Sequence, residues 1–138
     1  MFVTLSYASR ALAPLCEGGR RALLEPSRAR NQIAGVTGLL LCAERTFVQV
    51  LEGDEAAVRA TMQRIAADPR HTDLTVLDWR TIGARRFDRW HLGFVDAERY
   101  VGFPGIDATL LPGFGPALAH ARRADTLALL YRLPDLIA

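Results

Sequence analysis

Gly35-Val36-Thr37-Gly38-Leu39-Leu40-Leu41-Cys42-Ala43-Glu44-Arg45-Thr46-Phe47-Val48-Gln49-Val50-Leu51-Glu52-Gly53-Asp54 is the stretch on which the fold turns. Val36 to Cys42 reads as an apolar strand opened by Gly35. Ala43-Glu44-Arg45 is a tight connection, and Thr46 to Leu51 is a second strand, so the two form a hairpin. Glu52-Gly53-Asp54 then reads as a turn into a helix from Glu55 to Ala67. There Val58, Met62 and Ile65 fall at helical spacing, Asp54 is placed to cap, and Pro69 lies just beyond the end. Working back, Phe2 to Tyr7 alternates like a half-buried strand, Ala8 to Pro14 reads as a loop, and Glu17 to Asn31 is helical around Leu23 and Leu24. Pro26 should kink or interrupt that helix, because it removes a backbone donor and crowds the preceding turn. Working forward, a strand runs from Leu74 to Ile82 and a short fifth from Trp90 to Val95. The order is β-α-β-β-α-β with one strand added, an α+β, ferredoxin-like sheet with two helices on one face.

Beyond this, Pro104, Gly105, Pro112 and Gly113 break the chain, and helical patterning returns from Phe114 to Arg132. The organisation expected is one domain over residues 1–97, then a linker and helical extension over 98–138. The 138 residues are 50% hydrophobic and 23% charged, which suits a packed domain. Net charge is only +2, and no long basic run occurs, which argues against nucleic acid. All 17 basic residues are arginine. No apolar run reaches the roughly 18 residues of a membrane span, and the pattern from Met1 to Leu5 gives no reason to expect secretion. Cys16 and Cys42 lack metal-ligand spacing and read as free thiols in a reducing, cytoplasmic compartment.

A ferredoxin-like sheet hosts many functions, so function must come from particular residues. Tyr7-Ala8-Ser9, Arg30-Asn31, Gly35-Val36-Thr37-Gly38-Leu39-Leu40, Phe47 to Gly53, Asp68-Pro69-Arg70-His71, Arg85-Arg86-Phe87 and Trp90 stand in a distinctive order. Over residues 1–97 the chain resembles the BLUF family, sensors of blue light using FAD. The resemblance implies a flavin held noncovalently. It implies FAD, while the residues alone leave FMN open.

The topology puts Tyr7 and Gln49 on neighbouring strands, where both can face one ligand. A phenol both donates and accepts a hydrogen bond, and a primary amide carries donors at one end and acceptors at the other. Rotating or tautomerising the amide exchanges the two at nearly constant volume, which is what a two-state switch requires. The resemblance makes Tyr7 the electron and proton donor and Gln49 the rearranging group. It puts Asn31 at the polar edge of the flavin, Arg30 along the ring or towards the ribityl chain, and Ser27 near the glutamine. It sets Arg64, Asp68, Arg70 and His71 beside the ring and tail. Trp90 and Leu92 complete the switch on the fifth strand, where Leu92 replaces the usual methionine and its adaptable thioether.

Each residue also has an ordinary explanation. Tyr7 and Gln49 could be strand residues, Asn31 a helix cap, Arg30 and Ser27 surface groups, and Arg64 with Asp68 a surface ion pair. Asp68 and His71 make a poor metal site, so none is expected. The two glycines Gly35 and Gly38 enter a strand rather than a helix, and read as backbone punctuation rather than as a phosphate loop. An acylphosphatase-like enzyme would want a phosphate cradle between the first strand and helix, and only Arg10 is there. The expectation is a standalone blue-light photoreceptor, not an enzyme, signalling through a protein partner or a homo-oligomer interface. The alternative is a non-photoactive flavin-binding or assembly module of the same fold. The extension is expected to cover the sheet face that carries no helix.

Overall fold

The computed structural model describes residues 1–13, 17–43, 45–88 and 90–96. The C-terminal extension at 98–138, its expected packing, and Cys16 lie outside the described residues. Seven elements follow in order: β1 (Phe2–Ala11), α1 (Glu17–Ala34), β2 (Thr37–Ala43), β3 (Thr46–Asp54), α2 (Glu55–Ala66), β4 (His71–Thr81) and β5 (Gly93–Asp96). The sheet order is β4-β1-β3-β2-β5. Each neighbouring pair among the first four strands is antiparallel, and β5 runs parallel to β2. This is the ferredoxin-like arrangement with a fifth strand.

Register places Tyr7 opposite Gln49, Gln49 opposite Leu40, and Leu40 opposite Phe94. Directly opposed residues share a sheet face, so one row of side chains crosses four strands under the helices. Alternate residues of β1 (Val3, Leu5, Tyr7) pack with Leu51, Val36 and Val58 beneath α2. Ala11, Phe47, Leu40 and Phe94 pack with Leu24 beneath α1. On the other face Leu39, Leu41, Val48 and Val50 are also buried.

Several boundaries differ from the sequence reading, each for a physical reason. β1 continues to Ala11 because Ala8, Ser9 and Arg10 keep pairing with Val48, Phe47 and Thr46. α1 does not stop at Asn31, nor break at Pro26; it runs to Ala34. It ends in a Schellman turn, with Gly35 at φ 71°, Val36 N–H donating to the Asn31 carbonyl and Gly35 N–H to that of Gln32. Glu52 and Gly53 are not a turn but paired residues of β3, opposite Thr4 and Val3, with Asp54 opposite Phe2 closing the ladder. Asp54 stands at the start of α2 but makes no capping bond from its side chain. Its carboxylate lies 3.7 Å from the N-terminal amine instead. β4 starts earlier than Leu74, at His71. A register shift lies between Ala8 and Arg10, and opposite it Asp73 takes a left-handed φ of 56°. Such a bulge lets the strand continue, and aspartate tolerates that backbone.

Gly38 shows why a glycine opens this strand. A Cβ there would sit 1.9 Å from the Val50 carbonyl oxygen of the neighbouring strand. No side chain fits that approach.

Candidate functional site

A cleft opens between α1 and α2 above the Tyr7–Gln49–Leu40 row, with about 730 Å³ of free space counting its open mouth. Its walls bring together Tyr7, Ser27, Arg30, Asn31, Gln49, Arg64, Asp68, Arg70, His71 and Leu92. Trp90 is not among them. It lies before β5 and not on it, and its carbonyl accepts from Gly38 N–H.

On the cleft floor the Tyr7 hydroxyl donates to the Gln49 carbonyl oxygen. Both side chains are buried, at 3% and 5% exposed. With its oxygen committed to Tyr7, Gln49 has its NH2 end left to present to the cleft. Burial, with the Asp68 carboxylate adding to it, pushes the Tyr7 phenol well above its ordinary pKa. The phenol therefore stays protonated and keeps a hydrogen to donate.

Asn31 forms part of one wall. It is no helix cap, because α1 continues past it by almost a full turn. Its Nδ2 donates to the His91 carbonyl at 2.7 Å. One N–H and the carbonyl oxygen of the same amide remain, an adjacent donor and acceptor in a buried position. Ser27 donates to the Leu23 carbonyl within its own helix at 2.7 Å. Its donor is spent there, and its oxygen can still accept.

His71 sits beside this pair, its ring 6.3 Å from the Tyr7 ring and edge-on to it. Nε2 lies 2.6 Å from the Ile65 carbonyl, and Nδ1 lies 2.7 Å from the Ser9 hydroxyl. A carbonyl only accepts, so Nε2 carries the hydrogen, and in the neutral ring Nδ1 accepts from Ser9. Asp68 and Arg64 do not pair as helix neighbours. Asp68 lies past the end of α2 and takes the Arg70 guanidinium, with Nε 2.9 Å from Oδ1. That bond holds the Asp68 carboxyl below its ordinary pKa. Arg64 reaches the Thr61 hydroxyl at 3.5 Å, and Arg30 is exposed at the mouth.

Sequence reasoning missed the apolar walls: Leu23, Leu40, Phe47 and Ile65 line the cleft. Their helical and strand spacing marked them only as core. It also missed Glu52, which is 1% exposed. The Glu52 carboxylate accepts the backbone N–H groups of Arg86 and Phe87, each at 2.7 Å. Burial raises its pKa, and these two bonds, a Thr4 hydrogen bond and the nearby Arg85 charge oppose the rise. Among the described residues no group of His, Cys, Asp and Glu is placed to hold a metal. No described helix is long and apolar enough to cross a membrane.

A flat ring with apolar faces and a polar edge fits such a site. Apolar side chains stand on both walls, and the amides of Asn31 and Gln49 offer donors and an acceptor deep inside. Arg30 and Arg64 lie towards the mouth, where an anionic tail would leave. Residues 2–93 match the family model described as BLUF, sensors of blue-light using FAD. The chain belongs to this family, whose members bind FAD or FMN, and its residues 2–93 form the family's sensor module.

Among relatives, it is 33% identical over 108 residues to the photoactivated adenylate cyclase subunit beta-like protein FB of Euglena gracilis, and 34% to that organism's photoactivated adenylate cyclase subunit beta. The matches cover 78% of this chain but only 13% of those proteins. Among solved structures, the dark state of the BLUF protein BlrB superposes with a TM-score of 0.81 at 29% identity, over 97% of this chain and 96% of that one. Klebsiella pneumoniae BlrP1, solved with FMN and cyclic diGMP, gives 0.67 at 28% identity, over 87% of this chain and 35% of that one.

Proposed function

We propose that this chain converts blue light into a rearranged hydrogen-bond network centred on Tyr7 and Gln49, and passes that change to a protein partner or a subunit interface. The observation that carries the proposal is the Tyr7–Gln49 hydrogen bond on the floor of a cleft suited to a flavin.

A bound flavin, FAD or FMN, would supply the absorption of blue light and an excited ring able to accept an electron. Every other function falls to the protein. Asn31 holds the polar edge with its free N–H and oxygen, while Arg30, Arg64, Asp68, Arg70 and His71 surround the ring and tail. Tyr7 is the donor: its ring gives up an electron, and its hydroxyl hydrogen already points at Gln49. Gln49 is the bistable element. In one state its oxygen accepts from Tyr7; in the other its NH2 donates to Tyr7 and its oxygen turns to the cleft. The phenol satisfies both states because its oxygen also accepts. Leu92, on the cleft wall ahead of β5, is the apolar neighbour through which the change leaves.

The output reading extends to residues 98–138. We assign them to a helical extension that covers the second sheet face, in a cytoplasmic protein that is at least a dimer. The burial of Leu39, Leu41, Val48 and Val50, away from both helices, supports a cover there. Removing residues 103–138 should lower solubility and stability, and scattering mass should exceed that of a monomer.

Gln49→Leu tests the switch. Leucine offers nothing to rearrange, so the protein should stay yellow and lose its light-driven red shift. A normal red shift in Gln49→Leu contradicts the assigned role.

A further inference from the structure

Arg28 and Asn31 stand three residues apart on one face of α1. Arg28 Nε donates to the Leu92 carbonyl at 2.8 Å, and Asn31 Nδ2 donates to the His91 carbonyl at 2.7 Å. Two side chains of one helix therefore hold two consecutive carbonyls. In an extended strand successive carbonyls point in opposite directions, so one helix cannot take both from a regular strand. The chain must bend at residues 91 and 92. This explains why β5 begins at Gly93 rather than at Trp90, where strand-like residues start.

The bend is tied on other sides as well. The Trp90 carbonyl accepts from Gly38 N–H at 2.9 Å, and His91 Nδ1 lies 3.1 Å from the Val36 carbonyl. Within it Leu92 turns its side chain into the cleft wall, 3% exposed. The next residue, Gly93, pairs with Leu39 on β2. Leu92 is thus the joint between cleft and sheet edge.

Arg28 differs from its neighbour Asn31 in one respect. Asn31 lines the cleft and Arg28 does not. A guanidinium is always charged, and its bond to a carbonyl is stronger than a neutral one. Nothing in the flavin site requires it. What it holds is the main chain at the joint.

We infer that Arg28 is a positioning residue for signal output: by pinning the Leu92 carbonyl to α1, it makes a change felt by Leu92 or Asn31 in the cleft move the peptide that enters β5. Without that pin, the Leu92 side chain adjusts locally and the strand stays still. This inference rests on the photosensor reading and adds to it a route that avoids the Trp90 side chain.

The test uses the full chain carrying Trp79→Phe, which leaves Trp90 as the sole tryptophan. Trp90 emission then reports the main chain two residues before Leu92, while flavin absorption reports the switch. Trp79→Phe should show the red shift together with a reversible change in Trp90 emission. Adding Arg28→Ala should keep flavin content and red shift. It should cut the emission change at least about threefold and alter dark recovery by a similar factor, the lower end of what losing one hydrogen bond costs. Arg28→Lys, which keeps a charged donor, should restore part of the change. Arg28→Gln decides the matter if the alanine variant does not fold, and should show the same loss in milder form. Full emission change and unaltered recovery in the Arg28 variant would overturn the inference. So would an emission that ignores light in Trp79→Phe alone while the red shift is present. If the unsubstituted protein shows no red shift, the photosensor reading itself fails, and the inference falls with it.

Discussion

Tyr7 and Gln49 are direct register partners on β1 and β3, and the Tyr7 hydroxyl donates to the Gln49 carbonyl oxygen across that pairing. The sheet itself therefore sets their separation. Two adjacent central strands carry them, with β4 and β2 outside. A switch built on this pair can change which atoms bond without the strands having to move.

The polar edge of the site gives a binding prediction. Asn31→Ala should weaken flavin binding by about 1–3 kcal/mol, the cost of leaving buried polar groups unpaired. Arg30→Ala should cost less, because that side chain is exposed at the mouth. Titration of the stripped protein with FAD measures both. Equal and negligible losses would mean that the ring does not meet Asn31.

Glu52 gives a stability prediction. Its carboxylate accepts two backbone N–H groups from the segment that carries buried Phe87. Glu52→Ala orphans both and should destabilise the fold by about 2–5 kcal/mol. Glu52→Gln keeps an accepting oxygen and sheds a charge that burial disfavours, so it should lie within about 1 kcal/mol of the parent at neutral pH. Urea unfolding distinguishes the two; equal losses would show that charge, rather than accepting oxygens, anchors the segment.

Tyr7 gives a pH prediction. Its folded pKa is raised, by burial first and by Asp68 second. The folded state thus holds this proton more tightly than the unfolded chain does. The resulting stability is fully present below the ordinary tyrosine pKa of about 10, and it is lost as pH rises above that. Tyr7→Phe has no such proton, so its stability should fall less steeply in alkali than that of the parent. Thermal unfolding at successive alkaline pH values measures this, and identical slopes would refute it.

Much of this site could be read from the chain, for identifiable reasons. The order of strands makes β1 and β3 neighbours, so the sequence alone brings Tyr7 and Gln49 together. Asp68, Arg70 and His71 are close in sequence and stay close in space. What could not be read depends on main-chain atoms distant in sequence. Arg28 looks like any helix arginine, because its partner is a carbonyl 64 residues away. Glu52 looked like a turn residue beside Gly53, because the backbone N–H groups it accepts belong to residues 86 and 87. The last turn of α1 was hidden because Gln32 and Ile33 are exposed and add no apolar spacing. The start of β4 was hidden by the bulge at Asp73, which breaks strand alternation.

The central claim is that blue light acts through the Tyr7–Gln49 pair. The most direct measurement is the flavin absorption band of the purified protein, before and after blue light, beside Tyr7→Phe. The parent should be yellow, shift slightly to the red on illumination, and recover in darkness. Tyr7→Phe should be equally yellow and unshifted, having lost the phenolic proton and the more easily oxidised ring. A colourless parent that takes up neither FAD nor FMN, or a normal red shift in Tyr7→Phe, would contradict the account.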